Sequence, residues 1–81
     1  MRAPSRPPAF PLAMADEGET VRIEAIHGGA AMARRVAEMG LNVGSELTVR
    51  QRQGGGLVVS RGETRFALGA GMAHRITVSR A

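Results

Sequence analysis

Cysteine is absent from this chain, so neither a disulfide nor a thiolate metal site can staple it. The absence fits a reducing compartment. Tryptophan and tyrosine are absent too, which leaves Phe10 and Phe66 as the aromatics. A barrel that reads proline-rich ligands needs an aromatic-lined groove, and this one has nothing to line it. Lysine is missing, and Asp16 is the sole aspartate. No apolar run approaches the roughly 18 residues a membrane helix requires, so direct membrane insertion is not expected. The first residues carry Arg2 and Arg6 but no apolar h-region, so no secretory signal is expected.

These gaps leave little for catalysis. A hydrolytic triad needs a nucleophile, a base and an orienting group. His27 and His74 lie far apart, and neither has a carboxylate or serine at a motif spacing. The reading is that the chain is not an enzyme and has no catalytic residue. A metal site built by protein needs three or four suitable ligands. His27 and His74, with Glu24 or Glu63, would have to converge through the fold, since no HxxxH, HxxE or CxxC spacing occurs. Neither a metal site nor a cofactor is expected. Gly69-Ala70-Gly71-Met72-Ala73-His74 imitates the start of a dinucleotide loop, but His74 stands where the third glycine belongs and no long helix follows.

What remains is an 81-residue chain, one domain at most. A chain of this size buries only about 60% of its unfolded surface, so its core is thin. The formal net charge is +4, and half of it, Arg2 and Arg6, sits in the first eleven residues. All four prolines fall there as well, at Pro4, Pro7, Pro8 and Pro11. Residues 1–11 therefore read as a disordered Pro/Arg-rich arm sampling polyproline II, and residues 12–81 as the folded domain. The PxxP spacings inside the arm read as linker chemistry.

Within the domain, residues 20–26 alternate, with Val21, Ile23 and Ala25 on one face, so they form a strand. Ile26 breaks the alternation and marks a bulge. Residues 30–39 are alanine-rich and free of glycine and proline, hence helical. Gly40 stops that helix in the left-handed conformation, and Leu41 packs back on Val36 as in a Schellman cap. Strands follow at 46–53, 57–61, 64–68 and 75–79, joined by tight turns at Gly54-Gly55-Gly56 and Arg61-Gly62-Glu63. Residues 69–73 make a turn or a single helical turn. Five short strands with one helix indicate a mainly β fold, a small barrel whose closure removes exposed edges.

A short helix laid across a small barrel leaves a seam. Met32, Val36, Met39 and Leu41 fall on it, and they are either the partner-binding residues or plain core. Exposed methionine adapts to a partner's shape. If the seam is core, the partner meets the sheet surface carrying Arg50, Arg52, Arg61 and Arg65. That arginine group is also what a small basic barrel would use to bind RNA or single-stranded nucleic acid non-specifically, the alternative reading. Such surfaces pair basic residues with stacking aromatics, and Phe66 is on the core face. No specific nucleic-acid partner is expected.

From Leu12 to Val78 the chain resembles the FeoA family, the small cytosolic component of bacterial ferrous iron transport. The likeness rests on pieces in order: Leu12 with Gly18-Glu19, then Val21-Arg22-Ile23 and Ile26 before Gly28-Gly29. Next come Arg34-Arg35-Val36-Ala37-Glu38-Met39-Gly40-Leu41, Asn42-Val43-Gly44 and Gln53-Gly54-Gly55-Gly56. Arg65-Phe66-Ala67-Leu68-Gly69 and Gly71-Met72-Ala73-His74-Arg75-Ile76-Thr77-Val78 close the set. Val36 stands where the family usually has leucine. The resemblance implies an SH3-like barrel with one inserted helix near residues 30–39. Gly28, Gly29, Gly40, Gly44, Gly69 and Gly71 are its structural glycines. It implies a non-enzymatic accessory protein that binds and modulates FeoB, a membrane transporter with a GTP-binding domain. The location implied is cytoplasmic, at the inner face of the membrane through that partner. Weak self-association is a further option, and transition metal ion binding attaches to the family only as a general term.

Overall fold

Alternating apolar and polar side chains set the strands of this chain, and the computed structural model describes residues 8–81. In order they form strand β1 (Ala9–Pro11), a 3-10 turn (Leu12–Met14), β2 (Thr20–Ile26), helix α1 (Gly29–Glu38), β3 (Glu46–Gln53), β4 (Gly56–Arg61), β5 (Thr64–Leu68), helix α2 (Ala70–Arg75) and β6 (Ile76–Arg80). The six strands make one antiparallel sheet in the order β1-β6-β2-β3-β4-β5. Val21 and Ile23 of β2, Leu47 and Val49 of β3, and Ile76 and Val78 of β6 point into a shared core with Leu12 and Ala73.

Two bulges bend this sheet around its core. The β2–β6 register shifts between Ile23 and Ala25, so Glu24 is the extra residue, not Ile26 as the broken alternation had suggested. The β3–β4 register shifts between Val49 and Gln51, which leaves Arg50 as the extra residue there. A bulge adds local twist and redirects one side chain. Helix α2 lies against the 3-10 turn, β4, β1 and β6.

Helix α1 ends as its sequence demands. Gly40 has φ +79°. Its N–H donates to the Ala37 carbonyl over 2.8 Å, and the Leu41 N–H donates to the Val36 carbonyl over 3.1 Å. Those two bonds are the Schellman pair.

The expected disordered arm needs correcting at its end. Residues 9–11 pair with β6, Ala9 opposite Ser79 and Pro11 opposite Thr77, so paired structure begins before Leu12. Phe10 supplies the reason. Its ring packs against the core, and the Arg80 guanidinium lies over it at 5.6 Å. Pro11 is tolerated because β1 is the end strand of the sheet, where a missing N–H costs little. The remainder of the expected arm, residues 1–7, lies outside the described residues. Two smaller differences concern the C-terminal half. Of the turn or single helical turn expected at 69–73, the helical form is found and runs on to Arg75, which moves the start of the last strand to Ile76.

Candidate interaction surface

The seam between α1 and the sheet is closed. Val36 and Leu41 have no exposed surface and Met32 is 8% exposed. Met39 alone of the four is half-buried, packed against the same core. A partner approaching the folded domain therefore meets part of Met39 and none of Val36 or Leu41. The burial follows from the Schellman cap, which turns Leu41 back under the helix beside Val36.

Among the expected structural glycines, Gly28, Gly29, Gly40 and Gly44 have left-handed backbones. Gly28 is also crowded: a β-carbon there would lie 2.9 Å from Arg75 Cδ and 3.1 Å from Met32 Cβ. Gly69 and Gly71 lack that backbone, and a β-carbon on Gly69 would meet nothing within 4 Å. Neither position demands glycine. Gly56 does, for a reason invisible in a hairpin motif: a β-carbon there would sit 2.5 Å from the Leu68 carbonyl oxygen.

One histidine and several of the acids are engaged within the fold. His27 Nε2 hydrogen-bonds Thr77 Oγ1 at 2.9 Å, and His74 is exposed on α2. Ser79 Oγ donates to Glu24 at 2.6 Å, and Arg22 pairs with Glu46 at 3.0 Å. Glu19 accepts from the Asp16 N–H at 3.0 Å and from Arg80 Nε at 2.5 Å. The Asp16 N–H, and then Arg80, hold its carboxyl below the usual carboxylate range. Among the described residues, no three His, Cys, Asp or Glu side chains converge on one point.

The four arginines expected to share one sheet face are split by the fold. Arg52 is exposed but reaches back over the 3-10 turn, its guanidinium donating to the Ala13 carbonyl at 2.9 Å and to the Ala15 carbonyl. The Glu17 carboxylate accepts from the Arg52 N–H at 2.8 Å. Arg61 reaches toward Gly40, where a cation suits the negative end of α1. Arg50 and Arg65 remain together on the outer face. Arg50 Nε donates to Ser60 Oγ at 2.8 Å, and Arg65 stands directly across the ladder from Ser60. Thr48 and Thr20 continue that row across β3 and β2, joined by a 3.0 Å hydroxyl contact. Arg50 and Arg65 form no ion pair among the described residues. Sequence reasoning singled out these arginines but not Ser60, whose hydroxyl accepts from Arg50 and which stands opposite Arg65. Its position opposite Arg65 follows from counting back from the Gly62 turn.

The comparisons with known proteins agree with one another. The FeoA domain family matches residues 10–80. A Methanocaldococcus jannaschii protein named for Fe(2+) transport, as transport protein A, is 39% identical over 69 residues, covering 85% of this chain and 84% of that protein. A crystal structure described as an iron uptake regulatory protein, FeoA, superposes with a TM-score of 0.82 at 30% identity, covering 90% of this chain and 97% of the other. A manganese-dependent transcriptional repressor contains a similar unit, with a TM-score of 0.84 at 28% identity over 95% of this chain but only 44% of the repressor. The expected mainly β, SH3-like architecture is thus the one found, although its sheet ends at β1 and β5 where closure without edges was expected, and the chain belongs to the FeoA domain family.

Proposed function

We propose that this protein is a non-enzymatic accessory factor of ferrous iron uptake that binds and modulates the cytosolic part of a FeoB-type transporter. The observation that carries the reading is the likeness to a relative named for Fe(2+) transport, over most of both chains. The chemistry of the fold supports action by contact. Glu19, Glu24, Glu46 and Arg52 are spent on ion pairs, hydroxyls and main-chain carbonyls within the domain. No helix among the described residues is long and apolar enough to cross a membrane, so this reading reaches the membrane through the partner.

A contact factor changes its partner's behaviour only by binding one of the partner's states more tightly than another. The test is a titration of the full chain into the transporter's purified cytosolic part, with and without GTP. A stoichiometric complex whose affinity differs between the nucleotide states is expected, with a matching change in nucleotide affinity. No complex in either state, nor with the intact transporter in membranes, would overturn the proposal.

A further inference from the structure

We propose that the open edge of β5, beside Arg50 and Arg65, receives an extended acidic segment of a partner as an added strand. The inference rests on the reading that the domain acts by contact, and names where and with what chemistry.

The edge follows from topology. Among the described residues β5 ends the sheet, with β4 as its ladder neighbour. The hairpin between them has two turn residues, with Gly62 at φ +59° in the first position, as a type II′ turn requires. The closing pair, Arg61 and Thr64, exchanges hydrogen bonds in such a hairpin, and exchanging pairs alternate along an antiparallel ladder. Val59 with Phe66 and Leu57 with Leu68 are then the further exchanging pairs. Arg65 and Ala67 fall between them, so their main-chain N–H and C=O groups point away from β4. Both residues are exposed. The opposite end of the sheet is a poorer template, because β1 has three residues and its last is proline.

Charge selects the occupant. Arg65 and Ala67 share the outer face with Ser60 and Val58, and Arg50 bonds to Ser60 on that face. Arg22 and Arg80 pair with glutamates elsewhere, whereas Arg50 and Arg65 form no ion pair among the described residues. A second copy of the chain laid antiparallel on this edge would bring Arg65 of each copy close together, and like charges across strands repel. An acidic side chain opposite Arg65, two residues from a small apolar one opposite Ala67, satisfies both the charge and the backbone. Nucleic acid fits less well. Phe66 packs against the core and Phe10 lies beneath Arg80, so neither offers this face a stacking surface.

The test is nitrogen-15 NMR on the full chain, titrated with the end-blocked peptide Thr-Val-Ala-Val-Glu-Val-Thr, which sets Ala opposite Ala67 when Glu stands opposite Arg65. The controls are the same peptide with lysine for glutamate, and oligothymidylate. Binding should shift the Arg65 and Ala67 amides and slow their hydrogen exchange. Arg65→Glu, and the lysine peptide with the unaltered chain, should each weaken binding by about tenfold or more. Ala67→Pro should abolish binding by deleting an edge donor, while the rest of the spectrum stays folded. Shifts confined to another face, equal binding of the lysine peptide, tighter binding of oligothymidylate at the same arginines, or edge shifts driven by protein concentration alone would each overturn the proposal. The two variants then go against the transporter's cytosolic part. Undiminished binding of both would sink the edge and leave the accessory function standing. Peptide binding at the edge, with no transporter binding by the unaltered chain, would do the reverse.

Discussion

Gly56 faces the carbonyl of Leu68 so closely that a β-carbon on it would lie 2.5 Å from the oxygen. The contact joins the first residue of β4 to the last of β5, where the two strands leave their ladder opposite Leu57 and Leu68. The demand is for space, since Gly56 lacks a left-handed backbone.

Gly56→Ala should therefore destabilise the domain by about 1–3 kcal/mol, the range of an overpacked site. Gly71→Ala is the contrast. It lies in α2, and its added methyl meets only the mobile end of Arg75, at 3.3 Å from Nη1. It should stabilise by about 0.5–1 kcal/mol, because alanine has less freedom to lose in a helix. Urea unfolding of both variants checks the pair. Equal effects would mean that hairpin packing is looser than described.

Val36→Gln separates the two readings of the α1 seam. With Val36 fully buried, a polar amide there has no partner. The expected loss is about 2 kcal/mol or more. A folded variant of unchanged midpoint that fails to bind the transporter would restore the seam as a contact surface.

Arg52→Ala should loosen the 3-10 turn. The guanidinium holds the Ala13 and Ala15 carbonyls, which no methyl group can replace. A loss of about 1–2 kcal/mol is expected for partly exposed bonds to a charged donor. Hydrogen exchange should quicken at Ala15, whose N–H donates to the Leu12 carbonyl at 3.0 Å. Unchanged exchange there would show that the turn stands without the arginine.

Glu19 supplies a pH dependence of known sign. Its carboxyl pKa is lowered in the folded state by the Asp16 N–H and by Arg80. Its contribution is fully present above the unfolded value of 4.5 and is lost as pH falls through the lower folded value. Glu19→Gln should flatten that part of the acid profile. The check is the unfolding free energy of both proteins from neutral to strongly acidic pH. Parallel curves would show that neither the Asp16 N–H nor Arg80 holds the carboxylate in solution.

Much of the fold was legible because its signals are local. The alternation around Val21 and Ile23, the Gly40 stop and the hairpin at Gly62 each depend on a handful of adjacent residues. They placed β2, β3 and β5 at their observed ends and α1 within a residue of its own. Pairing between distant segments has no such signature. Phe10 lies in a proline-rich stretch that reads as an arm, yet the free edge of β6 and a place on the core draw it into β1. The arginines illustrate the same limit. Arg50, Arg52, Arg61 and Arg65 look equivalent along the chain, but a bulge at Arg50, carbonyls from the 3-10 turn and the end of α1 send them to different tasks. By itself the sequence determined which residues alternate and where the helix ends, since these follow from hydrophobic period and backbone sterics. Only the tertiary structure decided that the seam of α1 is closed and that Arg50 and Arg65 stand together at an open edge. Burial and charge pairing are properties of what lies alongside, and that is set by contacts between residues far apart in the chain.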